Sequence, residues 1–337
     1  MTIVKISASI YSDKKRPLKE VILDLENHNV DMLHVDCNDD DSVFQDIIEI
    51  KKWTSLPIDL HIISSNPERF FPLLIQTPVE YITFQYESIK NPLVIPSKII
   101  TKKGIAVSGD TPISIFSDYL HFDFILIMAT TPGQSGGVFD TLNFKKIRDF
   151  KKQYPDKSIH VDGGVNAEVS FILRNMGVST SVSGSYLFSS ASIGHALMNL
   201  TNRNIESHYL VKDFMIPFDE CPFVNEKSHR FMDILQSIEN GQLGFTLVVN
   251  EKNKFIGIIS NADVRRGLLK NNETKKDFDS IDFINRNALS VNQKNSVKDL
   301  LSLIKKSKFP ILYLPVIDDN QKAVGIVTFM NLIKGEL

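Results

Sequence analysis

The stretch Met32-Leu-His-Val-Asp-Cys37 is followed by an amphipathic segment, Val43–Thr54, and by a second apolar stretch, Ile58-Asp-Leu-His-Ile62. A short apolar run between turn residues predicts a buried strand, whereas apolar residues at i, i+3 and i+4 predict a helix. The order strand–helix–strand is typical of parallel sheets that are covered by helices. This stretch therefore indicates an α/β fold.

The same pattern continues on both sides of this stretch and predicts eight strands in all. The six further strands are expected at Ile3–Ser9, Tyr81–Phe84, Gly104–Val107, Phe124–Met128, Ile159–Asp162 and Val178–Val182. Further helices are expected at Leu18–Asn27, Leu142–Tyr154 and Ala167–Met176, the last capped by Asn166 and ended by Gly177. Eight such units in about 200 residues match a small (β/α)8 TIM barrel. A doubly wound open sheet is the alternative, but the Gly-rich turn that usually follows its first strand is missing.

The pattern changes after about residue 207, and the new pattern occurs twice. Gly257-Ile-Ile-Ser260 returns as Gly325-Ile-Val-Thr328, each after a strand and a polar hairpin. An amphipathic stretch precedes each copy, at His229–Glu239 and Val297–Lys306. Two copies of one small α+β module are therefore expected. The predicted domains are 1–205 and 206–337, the second dividing into about 206–270 and 271–337.

Composition limits the classes of function. The 337 residues contain 38 Lys+Arg and 40 Asp+Glu, a net charge of -2, so no positive field would attract nucleic acid. The two cysteines are too few for a disulfide framework and favour a reducing cytoplasm. No apolar run approaches the roughly 20 residues of a membrane helix. We therefore expect a cytoplasmic protein that binds neither nucleic acid nor membrane.

Polar side chains stand at the ends of three predicted strands, where TIM barrels carry their active sites. His34 and Asp36 are two residues apart on one strand and so share a face, while His61 and Asp162 end two others. Taken singly, each histidine is more often a hydrogen-bonded structural residue, and each aspartate is often a helix cap. Together they predict a site for one divalent metal ion, with zinc, iron(II) and manganese all compatible.

Two glycine-containing loops predict phosphate binding. Asp162-Gly-Gly-Val165 and Ser183-Gly-Ser-Tyr186 follow the seventh and eighth strands, whose loops bind phosphate in many barrels through backbone N–H groups. The candidate phosphate-binding residues are Gly163, Gly164, Gly184 and Ser185.

Residues 3–200 resemble the ribulose-phosphate 3-epimerase family. The resemblance rests on ordered motifs: Ile6-Ser-Ala-Ser-Ile-Tyr-Ser12, His34-Val-Asp-Cys-Asn-Asp39, Pro57-Ile-Asp-Leu-His61, Asp110-Thr-Pro112, the stretch from Met128 to Gly137, and Val161-Asp-Gly-Gly-Val165 with Ser183-Gly-Ser185. It implies that His34, Asp36, His61 and Asp162 bind the metal and that Asp36 and Asp162 are the acid/base pair. It also implies that Ser9, Met128, Gly133 and Gly136 contact the substrate.

The chain departs from the family pattern around the substrate. Asn38 and Ile63 replace two methionines of the pocket, and Gln85 stands where many members have His. Because the four chemical groups are kept, we expect a 3-epimerase, with D-ribulose 5-phosphate and D-xylulose 5-phosphate as its substrate pair. The alternatives are an epimerase of another ketose phosphate and a non-catalytic protein that senses sugar phosphates or serves as a scaffold. Lyases and isomerases of related barrels typically have Asp-x-Lys pairs, which are absent beside His34 and His61.

Residues 207–337 resemble a cystathionine-β-synthase (CBS) domain pair. The motifs are Val211-Lys-Asp-Phe-Met215, Gly257-Ile-Ile-Ser-Asn-Ala-Asp263 and Gly325-Ile-Val-Thr-Phe-Met-Asn331. The resemblance implies that Ser260, Asp263 and Thr328 hold an adenine nucleotide, the first motif being the better site because a carboxylate accepts from two hydroxyls. Many such pairs instead serve only to form dimers. On either reading we expect a homo-oligomer.

Overall fold

A computed structural model describes residues 4–132, 136–201, 209–227, 230–274, 277–307 and 311–329. These residues form two compact units. No helix in the described ranges is both long and apolar enough to cross a membrane.

The first unit is a closed barrel of eight parallel strands, as the sequence predicts. Each strand pairs with the next along the chain, and the first pairs with the eighth to close the barrel. The strands are β1 (Lys5–Ser9), β2 (Met32–Cys37), β3 (Ile58–Ile62), β4 (Tyr81–Gln85), β5 (Lys102–Ser108), β6 (Phe124–Met128), β7 (Ser158–Asp162) and β8 (Thr180–Ser183). A doubly wound open sheet is thereby excluded.

The helices of the barrel are α1 (Leu18–Asn27), α2 (Val43–Trp53), α3 (Phe71–Gln76), α4 (Leu142–Gln153), α5 (Ala167–Asn175), α6 (Ser185–Ser189) and α7 (Ile193–Thr201). Asn166 caps α5 as predicted, its side chain accepting from the Val169 N–H at 2.9 Å. The connections after β4 and β5, which the structure describes in full, contain only 3-10 turns, Tyr86–Ser88 and Ile113–Tyr119. Prolines explain part of this departure from eight identical units, since Pro92 and Pro96 would interrupt a helix after β4.

The register of the strands assembles the site. Asp36 of β2 lies beside His61 of β3, and His34 lies beside Asp59 one layer deeper in the barrel. On another pair of neighbouring strands, Met128 of β6 lies beside Asp162 of β7. Parallel register therefore brings strand ends that are far apart in sequence to one mouth of the barrel.

The second unit contains two small sheets, with strand orders β10-β11-β12 and β13-β14-β15-β9. The strands are β9 (Ile216–Pro217), β10 (Phe223–Asn225), β11 (Phe245–Val249), β12 (Phe255–Ser260), β13 (Val291–Asn292), β14 (Tyr313–Ile317) and β15 (Ala323–Thr328). The helices are α8 (Val211–Phe214), α9 (Phe231–Gly241), α10 (Asn261–Thr274) and α11 (Val297–Lys306). The predicted helix at His229–Glu239 thus begins and ends two residues later, and His229 itself lies outside the described residues.

Equivalent glycines show that the two sheets are copies of one module. Gly257 pairs with Val248, and Gly325 pairs with Val316, at the same place in each hairpin. A Cβ atom on Gly257 would lie 2.4 Å from the Asn285 carbonyl oxygen, and one on Gly325 would lie 2.3 Å from that of Ile216. In both copies a neighbouring backbone therefore leaves no room for a side chain.

Candidate active site

The two histidines and two aspartates that the sequence singled out meet at the barrel mouth. One ligand atom from each of His34, Asp36, His61 and Asp162 lies within 4.8 Å of the others. His34 Nε2 lies 3.4 Å from Asp36 Oδ1 and 3.8 Å from Asp162 Oδ2, and His61 Nδ1 lies 3.3 Å from Asp36 Oδ1. Two donors bound to one cation at about 2.1 Å lie about 3–3.5 Å apart for bond angles between right and tetrahedral. The two separations from Asp36 Oδ1 fall in this range, and the 3.8 Å between His34 Nε2 and Asp162 Oδ2 corresponds to a wider angle at the ion.

Three atoms of this cluster have no hydrogen-bond partner among the described residues. They are His34 Nε2, Asp36 Oδ1 and His61 Nδ1, and all three are buried. A buried polar atom without a partner is costly, by about 1–3 kcal/mol, so most such atoms are paired in folded proteins. Three of them directed at one point indicate a cation site, and two imidazoles with two carboxylates suit a divalent ion.

The opposite nitrogen of each imidazole is hydrogen-bonded. His34 Nδ1 lies 2.9 Å from Asp59 Oδ2, which also accepts from Ser7 Oγ at 3.0 Å. His61 Nε2 lies 2.9 Å from Gln85 Oε1. These acceptors orient both rings and leave the other nitrogen of each ring for an ion, as is usual around metal-bound histidines. Asp59 was not predicted to belong to the site, although its spacing two residues before His61 is a usable signal, and Gln85 stood out in the sequence only as a departure from the family pattern.

The surrounding protein groups by themselves shift the pKa values of Asp36 and Asp162 in opposite directions. Burial raises the pKa of Asp162 to about 6, against the lowering effect of the His34 imidazole. Burial would also raise the pKa of Asp36, but the neighbouring His34 and His61 lower it well below its usual range. Burial would lower the pKa of His34, yet the Asp59 and Asp36 carboxylates raise it above its ordinary value. At neutral pH the pair therefore favours an ionised Asp36 beside an Asp162 that readily takes up a proton.

A cavity of about 230 Å³ opens onto both aspartates. The other sequence-predicted residues on its wall are Ser9, Gly136, Gly163, Gly164, Gly184 and Ser185, and it is also lined by Tyr11, Lys14 and Asn38. The two aspartates and the phosphate-binding candidates thus share one cavity. Lys14 was missed from the sequence because a lysine in a surface turn carries no distinguishing signal.

Gly164 shows why this loop requires glycine. Its φ is +66°, and a Cβ atom there would lie 2.2 Å from the Phe139 backbone nitrogen. A side chain would therefore both strain the backbone and displace the neighbouring loop.

The other two predicted substrate contacts, Met128 and Gly133, are not among the described residues that line this cavity. Met128 is buried and lines a neighbouring cavity of about 720 Å³ together with Ser108, Thr130 and Gly136. It also packs with Ala106 and Leu126 in an apolar cluster. Gly133 lies outside the described residues. Neither aspartate is a helix cap, since the caps of the following helices are Ser42 and Asn166.

The predicted nucleotide-binding residues of the second unit lie at equivalent strand ends. Ser260 pairs with Phe245, and Thr328 pairs with Tyr313. The rings of Phe245 and Tyr313 stack with centroids 3.6 Å apart, which brings the two strand ends together. Asp263 Oδ2 accepts from the Ser260 N–H at 2.9 Å and from Ser260 Oγ at 2.5 Å, and its other oxygen accepts from Arg266. Ser260 and Asp263 are therefore hydrogen-bonded to each other.

Comparisons with known proteins agree with this architecture. The model of the Ribulose-phosphate 3 epimerase family matches residues 5–188, and that of the CBS domain matches residues 211–270 and 280–336. Ribulose-phosphate 3-epimerase of Methanocaldococcus jannaschii is 32% identical over 227 residues, which are 63% of this chain and 95% of the relative. That of Mycobacterium leprae is 31% identical over 189 residues, 52% of this chain and 84% of the relative.

For the second unit, a solved structure of CBSX2 in complex with AMP covers 37% of this chain and 94% of its own, at 25% identity and a TM-score of 0.32. CBSX2 is a CBS-pair protein of Arabidopsis thaliana. Fold, site and family matches together define a TIM-barrel isomerase joined to a CBS domain pair. The chain belongs to the ribulose-phosphate 3-epimerase family.

Proposed function

We propose that the chain is a divalent-metal-dependent epimerase that inverts C3 of a ketose phosphate, interconverting D-ribulose 5-phosphate and D-xylulose 5-phosphate. The observation that carries this proposal is the set of three buried, unpartnered atoms directed at one point among His34, Asp36 and His61. The two relatives described above, both named ribulose-phosphate 3-epimerase, support the choice of substrate.

The residues present fit a metal ion. His34 Nε2, His61 Nδ1, Asp36 and Asp162 would hold it, with Asp59 and Gln85 orienting the two rings. A bound divalent ion would stabilise the negative charge that develops on the substrate oxygens when C3 loses its proton. Zinc, iron(II) and manganese are all compatible with two nitrogen and two oxygen ligands.

The two aspartates would exchange the proton at C3. Inversion requires one group that removes the proton from one face of the carbon and a second that returns a proton to the other. Asp36 and Asp162 would be these two groups: one in its ionised form would accept the C3 proton, and the other in its protonated form would donate its own, with the roles reversed in the opposite direction. The proton lost from one aspartate is balanced by the proton gained by the other, and the pair is reset by exchange with water.

The phosphate would lie at the other end of the cavity. Gly163, Gly164, Gly184 and Ser185 offer backbone N–H groups there, and Lys14 adds a positive charge to the same wall. The near-neutral composition of the chain is compatible with such a site, because local donors and one cation are sufficient to hold a phosphate.

We further propose that the CBS pair regulates or dimerises the enzyme, with an adenine nucleotide held by Ser260, Asp263 and Thr328. The stacked Phe245 and Tyr313 support one shared region for these residues. The domain boundaries at 205 and 206, a homo-oligomeric state and a cytoplasmic location remain predictions.

A substrate panel tests the proposal. Pentulose and hexulose phosphates are incubated in heavy water, and deuterium at C3 is measured by NMR before and after dialysis against a chelator. We expect exchange with D-ribulose 5-phosphate, loss of exchange in the metal-free protein, and recovery with Mn²⁺ or Zn²⁺. Exchange that survives metal removal would contradict the metal requirement. Exchange with a hexulose phosphate alone would change the substrate, and no exchange with any member would favour a sensing or scaffolding role.

A further inference from the structure

Glu87 follows strand β4 and belongs to no motif that the sequence singled out. Its Oε1 atom accepts from the Ser108 backbone N–H at 2.8 Å and from Thr111 Oγ1 at 2.5 Å. Its Oε2 atom accepts from Gln85 Nε2. Both oxygens of this exposed carboxylate are therefore occupied by donors, and one of these donors belongs to the residue that contacts His61.

A carboxylate accepts hydrogen bonds but cannot donate them, so it determines how a neighbouring amide must point. Gln85 must direct its NH₂ group at Glu87, and its Oε1 atom is then the one that faces His61 Nε2, 2.9 Å away. A carbonyl oxygen likewise only accepts. His61 Nε2 must therefore carry a hydrogen, and in the neutral ring the lone pair is on Nδ1, the atom that faces Asp36 Oδ1 at 3.3 Å.

The reverse arrangement would block the site. If the NH₂ group of Gln85 faced His61, Nε2 would have to accept, and the hydrogen would move to Nδ1. A hydrogen on Nδ1 would then occupy the position from which this ring can bind a cation. An amide on its own has no preference between the two orientations, so a third group must choose between them.

We infer that Glu87 is a positioning residue for the metal site: by orienting the Gln85 amide, it holds His61 in the tautomer that presents Nδ1 to the ligand cluster. The inference rests on the proposed metal-dependent function. In the structural alternative, Glu87 only links the end of β4 to the end of β5 through its hydrogen bonds. The two readings differ in what they expect when the hydrogen-bonding directions are changed without changing size.

The first test uses the unmodified full-length chain. Histidine is labelled with ¹⁵N, and the tautomer of His61 is read at pH 8 from long-range ¹H–¹⁵N correlations of the metal-free protein, with His61→Gln used for assignment. We expect the Nε2–H tautomer. The Nδ1–H tautomer would overturn the inference, and this result does not depend on whether any variant folds.

The second test is an exchange of the two side chains. In Glu87→Gln, the Ser108 and Thr111 donors hold the new amide oxygen, so its NH₂ group faces Gln85 and turns that amide around. We expect Mn²⁺ affinity, measured by titration calorimetry, to fall by about 10–100-fold, the range found for groups that orient metal ligands. In the double variant Gln85→Glu with Glu87→Gln, the carboxylate again accepts from His61 Nε2 and from residue 87. We expect its affinity to return to within about threefold of the unmodified chain.

Glu80→Gln is the matched control. Glu80 precedes the same strand at its opposite end and accepts the Ile58 backbone N–H at 2.8 Å. This change removes the same charge and also weakens a strand-end hydrogen bond, so Mn²⁺ affinity should stay unchanged. Unaltered affinity in Glu87→Gln, or no recovery in a folded double variant, would overturn the inference. Failure of the unmodified chain to bind Mn²⁺, Zn²⁺ or Fe²⁺ would instead contradict the proposed function.

Discussion

The polar motif residues of the two units differ in whether they have hydrogen-bond partners. At the barrel mouth, three buried atoms of His34, Asp36 and His61 have no hydrogen-bond partner in the described part of the chain. At the CBS motif, Ser260 and Asp263 satisfy each other, and Arg266 takes the remaining carboxylate oxygen. A cation bound at the barrel mouth would give these three atoms partners, whereas the polar groups of the CBS motif already have partners within the second unit.

A second Ser-x-x-Asp segment in the same unit sharpens this contrast. Ser296 and Asp299 form the same reciprocal pair at the start of α11, with the Ser296 N–H and Oγ each 2.9 Å from Asp299 Oδ2. This arrangement is a helix capping box, which stabilises the first turn of a helix. Ser260 and Asp263 therefore have a sufficient structural reason to be present, and a nucleotide would have to compete with their existing hydrogen bonds.

The largest effect is expected at the barrel aspartates. Asp36→Asn and Asp162→Asn should each lower the rate of C3 exchange by about 10²–10⁴-fold, because an amide neither removes nor supplies the proton. The rate is measured in heavy water with bound metal quantified for each variant, since both residues are also ligands. Asp31→Asn is the control, because Asp31 stands at the opposite end of the barrel and accepts the Ile6 N–H. Near-normal exchange in both site variants would contradict a two-carboxylate mechanism.

An intermediate effect is expected from His160, a buried histidine of β7 that lies below the ligand layer. Its ring stacks on Phe124 with centroids 4.0 Å apart, and its Nδ1 is unpartnered in the described structure. Burial lowers the pKa of His160 to about 4, below the ordinary value of 6.5. Because protonation favours the unfolded chain, this contribution to stability is complete above about pH 6.5 and is lost as the pH falls towards 4.

The expected size follows from 1.36 kcal/mol per pKa unit. Between pH 7.5 and pH 5 the barrel should lose about 2 kcal/mol through His160, and this part of the loss should disappear in His160→Gln. Trp53, the single tryptophan, lies in α2 and reports urea unfolding of the barrel by fluorescence. Equal pH dependence in His160→Gln and the unmodified chain would show that folding does not lower the pKa of His160.

The smallest effect is expected in the CBS pair. Ser260→Ala and Ser296→Ala should each destabilise the second unit by about 1 kcal/mol through the loss of a helix cap, as measured by calorimetry. AMP at millimolar concentration should raise the melting temperature of the unmodified chain and of Ser296→Ala, but less that of Ser260→Ala. Equal shifts in both variants would leave Ser260 a capping residue only. No shift in the unmodified chain would remove AMP as a ligand.

Much of the fold was predictable because its signals are local. Apolar runs in the first 200 residues gave all eight barrel strands, and Asn166 and Gly177 marked the ends of α5. The two connections without α-helices were less accessible, since a proline shows where a helix cannot form but not what replaces it. The duplicated module was visible in the sequence because each copy has a glycine at the same place. At Gly257 and at Gly325 a neighbouring backbone leaves no room for a side chain.

The candidate site also has features that the sequence predicts and features that only the tertiary structure shows. The sequence by itself determined which residues carry ligand chemistry, since His34, Asp36, His61 and Asp162 stand at strand ends that a barrel must bring together. Only the tertiary structure decided which nitrogen of each imidazole is free, because Asp59 and the Gln85–Glu87 pair come from other strands or loops. It also decided that Lys14 shares the cavity with the aspartates. Hydrogen-bond direction and burial depend on neighbours in space, so they cannot be predicted from the spacing of residues within one segment of the chain.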